Sequence, residues 1–138
     1  MINILAFIFV LGVLVFVHEL GHFLAAKWAG IRVLAFAVGF GPAVVSYRKG
    51  LGIRRGSSES EYNDLLNTQA AGATAIEGHR RLTYAGLSPT EYRLNALPFG
   101  GYVKMLGQDD SNPAAVSDAP DGWQRAKVWK RMVVISAG

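Results

Sequence analysis

The chain of 138 residues contains no cysteine. That excludes a disulfide framework, a thiolate nucleophile and a cysteine zinc site, so any metal ligands must be histidines or carboxylates. Charge is also scarce: 17% of the residues are charged, against about 25% in soluble domains. Residues 1–17 carry no charged side chain, and Asn3 is their only clearly polar one. All 14 basic residues lie at or beyond Lys27. A start without a basic n-region and without a small-x-small cleavage site argues against a removed signal peptide. Read by the positive-inside rule, the same asymmetry puts the N-terminus outside and residues 30–131 on the cytoplasmic side of a membrane. The basic residues are dispersed among glycines and apolar residues instead of clustering with aromatics, which excludes a nucleic-acid partner.

Proline is absent from Ile2 to Ala29, where Gly12 and Gly21 are the only helix-weakening residues. A helix over residues 1–29 reaches about 42 Å and crosses a hydrocarbon core of about 30 Å. Its second half holds His18-Glu19-Leu20-Gly21-His22. Helical geometry puts His18 and His22 one turn apart on one face, where two imidazoles can hold one Zn²⁺. Glu19 sits about 100° around the axis, near the ion but not forced to ligate it, and can take a proton from an activated water. Three ionisable groups in an apolar helix are costly unless compensated, which favours metal binding over a helix end facing solvent. Gly21 removes bulk beside the histidines, so a neighbouring helix or a substrate backbone can come close.

Gly30 suits a helix C-terminus. Beyond it, residues 30–50 and 90–106 predict two pairs of short strands. Ile31–Val38 and Ala43–Tyr47 flank the turn Gly39-Phe40-Gly41-Pro42, and Glu91–Leu97 and Tyr102–Leu106 flank Pro98-Phe99-Gly100-Gly101. Four strands as two hairpin-like pairs, beside one long helix, make an α+β membrane protein. Residues 51–89 are rich in Gly, Ser, Ala, Thr and Asn with weak periodicity, and predict a flexible insertion with a short helix near Tyr62 to Ala71. His79 within it is expected to be an exposed loop histidine. Residues 107–122 predict a polar, acidic linker. Residues 123–138 mix Trp123 and Trp129 with basic side chains, as at a membrane interface, and end in an apolar run expected to start a second transmembrane helix.

A catalytic zinc site usually has three protein ligands and one open position. The extended motif of soluble zinc proteases would need Gly at Ala25 and His at Trp28, and no carboxylate lies between Glu19 and Glu59. Asp109 and Asp110 could reach back, but loop acids after a glycine are usually solvated.

The ordered set His18-Glu19-Leu20-Gly21-His22, Gly39-Phe40-Gly41-Pro42, Glu91-Tyr92-Arg93-Leu94, Pro98 to Met105 and the basic segment leading to Ser136-Ala137-Gly138 resembles the N-terminal part of a bacterial site-2 protease, an intramembrane zinc metalloprotease. The resemblance covers all but roughly residues 51–89. It implies that His18 and His22 ligate Zn²⁺ and that Glu19 is the catalytic base. It also implies that the strands form a membrane-reentrant β-region guiding an extended substrate, with Gly39, Phe40, Gly41, Gly100, Gly101 and Tyr102 as substrate-binding residues. Substrates would be transmembrane segments of single-pass proteins within the lipid bilayer. The family's third ligand, an Asp on a later helix, is not among these residues, so the 138 residues are expected to be an N-terminal portion, inactive alone and weak in zinc binding. The competing expectation is a non-catalytic membrane fragment acting as anchor or binding partner.

Overall fold

The structure is a computed structural model that describes residues 1–108 and 119–138. Helix α1 spans Ile2–Ala29. It ends where Gly30 turns left-handed (φ 77°), with the Gly30 N–H donating to Lys27 and the Ile31 N–H donating back to the Ala26 carbonyl at 2.9 Å. Only a residue without Cβ takes that conformation at low cost, so the glycine fixes where the helix stops. Large apolar side chains along its first 17 residues are exposed, and it is long and apolar enough to cross a membrane. Its last turns differ: Phe23, Ala26 and Ala29 join Ile31, Val33, Phe36, Met105 and Val134 in the core.

The sheet contains strands β1 (Val33–Arg48), β2 (Gly52–Arg55) and β3 (Glu91–Met105) in the order β2-β1-β3. β2 pairs antiparallel with the end of β1, from Val45↔Arg55 to Arg48↔Gly52. β1 meets β3 in two antiparallel series, Ala35↔Lys104 to Val38↔Gly101 and Val45↔Leu94 to Arg48↔Glu91. A third series, Ala35↔Glu91 to Val38↔Leu94, rises in both strands together. The first half of β1 thus has a half of β3 on each side. Laterally the segments run 52–55, 45–48, 91–94, 35–38 and 101–104. Ring contacts agree with that order: the Tyr92 ring lies 6.3 Å from Tyr47 and 6.2 Å from Phe36.

Among the described residues the four expected strand segments run together two by two as β1 and β3, β2 is added, and the predicted hairpins are not self-paired. The glycine-containing turns at 39–42 and 98–101 are bends inside continuous strands, wide enough for a segment of the other strand to lie between the two arms. Gly39 (φ 88°) packs against the Leu97 carbonyl, where a Cβ would overlap it, and the buried Asn95 amide donates to the Gly39 carbonyl at 2.9 Å. The two bends are locked to each other.

Residues 51–89, expected as a flexible insertion, carry β2 and two helices, α2 (Glu59–Gln69) and α3 (Ala75–Tyr84). Thr74 and Glu77 cap α3 reciprocally. His79 is not on a loop: it is half-buried on α3, its Nδ1 2.9 Å from the Tyr62 hydroxyl. Of the linker at 107–122, Asp121 is tied back by Arg32 through two hydrogen bonds of 2.7 and 2.8 Å. After a single 3-10 turn (Trp123–Arg125), helix α4 (Val128–Ser136) lies against α1. Trp28 and Trp129 meet edge-to-face at 5.6 Å, and Lys130 Nζ donates to the Ala29 carbonyl at the end of α1.

Candidate metal centre

His18 and His22 lie one helical turn apart with their Nε2 atoms 3.2 Å from each other. The rings are nearly perpendicular (83°), with centroids 4.8 Å apart. His22 Nδ1 lies 2.7 Å from the Val134 carbonyl of α4. A carbonyl only accepts, so Nδ1 carries a proton, and in the neutral ring Nε2 is the nitrogen left with a lone pair for a metal. Two nitrogens bound to one tetrahedral zinc at about 2.0–2.1 Å stand roughly 3.3 Å apart. The observed spacing and the fixed tautomer therefore fit that ion. Among the described residues no group of three His, Cys, Asp or Glu converges as a metal site. This chain offers two nitrogens, and Asp109 and Asp110 lie outside the described residues.

Close backbone approach builds the walls. A Cβ on Gly21 would overlap the Ala137 carbonyl, so this glycine lets α4 reach α1 beside the histidines. A Cβ on Gly101 would stand 2.7 Å from the Ala37 carbonyl and 2.9 Å from Glu19 Cγ. The strand can pass over the carboxylate only with no side chain at that position. Two clefts open on either side of this contact, both lined by Glu19 and Gly101. One, about 450 Å³, also includes His22, Tyr102, Val103 and Trp123. The other, about 320 Å³, includes His18, Leu14, Phe40 and Gly100.

Of the residues singled out in the sequence, His18, Glu19, His22, Phe40, Gly100, Gly101 and Tyr102 thus gather around the clefts. Gly39 and Gly41 do not line them; they shape the bend that carries Phe40, whose ring stacks on Tyr102 at 6.5 Å. Val134 was missed, since its contribution is a backbone carbonyl and no side-chain pattern announces it. The segment 101–104 forms one lateral border of the sheet, with no strand beyond it among the described residues.

Behind the sheet, on the face away from α1, lies a charged cluster. Arg48 and Glu91 are 2% and 0% exposed and 3.5 Å apart. Burial alone would raise the Glu91 carboxyl, but the Ser58 backbone N–H (2.6 Å) and Arg93 outweigh it and hold the group below the usual carboxylate range. Glu59 is also lowered: hydrogen bonds from Arg93 and Lys104 overcome its partial burial. Arg48 is lowered, chiefly by desolvation.

The sequence profile of peptidase family M50 matches residues 6–53 and 74–138. The chain belongs to that family, the site-2 proteases. Relatives include proteins of Agrobacterium fabrum (31% identical over 98% of this chain and 28% of the relative), Chlamydia trachomatis (34%, 93% and 16%) and Ralstonia nicotianae (34%, 100% and 23%). Each bears the provisional name of zinc metalloprotease. The chain spans less than a third of the length of these M50 relatives. The M50 profile leaves residues 54–73 unmatched, the stretch that holds α2.

Proposed function

We propose that this chain carries the N-terminal half-site of a zinc-dependent endopeptidase that cuts transmembrane segments of single-pass proteins inside the cytoplasmic membrane. The observation that carries the reading is the pair of Nε2 atoms 3.2 Å apart, with Glu19 between two clefts under a strand border. The residues that would hold the metal are His18 and His22, completed by a ligand beyond the described residues. Zinc, when bound, supplies a Lewis acid that polarises a peptide carbonyl and makes a water acidic enough to be a nucleophile at neutral pH.

The chain's own groups supply the rest. The Val134 carbonyl holds the His22 imidazole in the tautomer that leaves Nε2 free. Glu19 accepts the proton of the attacking water and returns it to the leaving amine. The border segment 101–104 offers main-chain partners to an unwound substrate, which exposes peptide bonds that a helix shields. With the N-terminus outside and residues 30–131 on the cytoplasmic side, lipid surrounds the exposed apolar half of α1. Two histidines alone hold the ion weakly, so zinc binding depends on a further ligand from outside the described residues.

The test is Glu19→Gln in the protein at its natural length. Cleavage of a transmembrane substrate should fall by at least about 10² while zinc stays bound, because the amide cannot act as base. Near-normal cleavage would remove Glu19 from the chemistry. Zinc retention by an unsubstituted protein that cleaves nothing would favour an anchor.

A further inference from the structure

The helix α2 lies in residues the M50 profile skips, yet it is joined by charge to the segment that borders the clefts. One Glu59 oxygen accepts from Arg93 at 2.6 Å and the other from Lys104 at 3.1 Å. Lys104 is on the border segment itself. Arg93 is 11% exposed, and two of its remaining nitrogens are also engaged. Its Nε donates to Glu91 at 2.8 Å, and its Nη1 donates to the Tyr102 hydroxyl at 3.3 Å.

The sheet explains why these groups meet. Arg93 and Tyr102 both pair with Ala37, one on each side, and so project from the same face. Ala37 is fully buried between them, and its methyl is short enough for guanidinium and phenol to meet above it. Alternation along the strand puts Tyr102 and Lys104 behind the sheet and turns Gly101 and Val103 to the front. There Gly101 touches Glu19, and both residues line the larger cleft. Whatever fixes Tyr102 and Lys104 from behind therefore fixes the height of Gly101 over Glu19. The Tyr102 ring also stacks on Phe40, which lines the cleft beside His18.

We propose that α2 is a clamp on the back of the border segment 101–104, with Glu59 as its positioning residue, acting through Lys104 and through Arg93 on Tyr102 to set the strand against which the substrate lies. This rests on the peptidase reading of the clefts. It assigns the inserted residues 54–73 a part in substrate binding rather than in bond cleavage.

The experiment uses the natural-length protein with 3-fluorotyrosine placed at Tyr102, read by ¹⁹F resonance and by cleavage kinetics of a transmembrane substrate. Glu59→Gln should shift the ¹⁹F signal and raise the apparent KM roughly five-fold with kcat within about two-fold, the pattern of lost binding without lost chemistry. Glu61→Gln, also on α2 but in an exposed pair with Arg54 of β2, should do neither. Combining Glu59→Gln with Tyr102→Phe should raise KM by less than the product of the single effects, because both act on one path. If Glu59→Gln proves unstable, Glu59→Asp carries the same readouts with smaller shifts. An unmoved ¹⁹F signal, or an unchanged KM with a moved signal, overturns the clamp. If the unsubstituted protein cleaves no peptide, the peptidase reading fails, while the ¹⁹F arm still decides whether α2 holds Tyr102.

Discussion

Replacing Arg48 by methionine tests the claim that buried charge, and not apolar packing, attaches residues 51–89 to the sheet. The Arg48 side chain is 2% exposed. Its Nε donates to Ser58 Oγ at 3.1 Å, its Nη1 donates to the carbonyls of Ser88 (3.0 Å) and Pro89 (2.6 Å), and its guanidinium carbon lies 4.3 Å from the Tyr62 ring centre. Methionine fills much of the volume but leaves both carbonyls without this donor and Glu91 without this counter-charge. Breaking one side of a buried pair costs about 3–5 kcal/mol. Glu91 keeps Arg93 and the Ser58 N–H, so the lower figure, about 3 kcal/mol, is expected here. At 1.4 kcal/mol per factor of ten, amide exchange in residues 45–48 and in α2 should quicken on the order of a hundred-fold. Hydrogen exchange read by mass spectrometry in detergent measures this directly. The control is Arg54→Met, whose pair with Glu61 is 48% and 46% exposed and should cost less than about 0.5 kcal/mol. Wild-type protection in Arg48→Met, or equal loss in both variants, would refute the reasoning.

Gly21→Val should separate α4 from α1, since the added carbon falls on the Ala137 carbonyl, and with it move Val134 away from His22 Nδ1. Zinc affinity of the natural-length protein should then drop about ten-fold or more, as for other losses of a ligand's supporting hydrogen bond; an unchanged affinity would show that the carbonyl does not orient His22. Acid should loosen the α2–α3 region in two stages. Burial, aided by Arg32, lowers His79 from its ordinary value, so the unfolded state binds its proton more readily and stability begins to fall as pH drops below about 6.5. Glu59 and Glu91, lowered in the fold, contribute fully above about 4.3, and that contribution is lost as pH falls through their folded values. Amide exchange in α2, corrected for the intrinsic pH dependence, should follow that order; greater protection at pH 5 than at pH 8 would contradict it.

What was legible in the sequence was what is local. Seventeen residues without charge and twenty-eight without proline suffice for α1, and an i, i+4 pair of histidines needs nothing beyond one turn to come together. The strand segments were also recognisable from their β-branched and aromatic residues, but not their neighbours. Which halves lie side by side depends on contacts between residues more than forty positions apart, such as Phe36 with Tyr92, while a glycine-proline turn suggests only a local hairpin. Within residues 51–89 the short helix expected near Tyr62 to Ala71 overlaps α2, but the rest read as flexible because its order comes from single polar partners, Ser58 on Glu91 and Glu59 on Arg93, which leave no periodic trace. One signal there was available and unused: Thr74-Ala75-Ile76-Glu77 has the spacing of a reciprocal cap and marks the start of α3.

The nesting of β1 and β3 constrains how the protein is made. Positions 35–38 find both of their lateral neighbours in β3, some fifty-five to seventy residues later in the chain. No ladder can form beside them until residues 91–94 have left the ribosome, and the second waits for residues 101–104, so until then an apolar strand stands unpaired next to an apolar helix. Loop closure across the intervening segment must come first, which is a slow step for any chain.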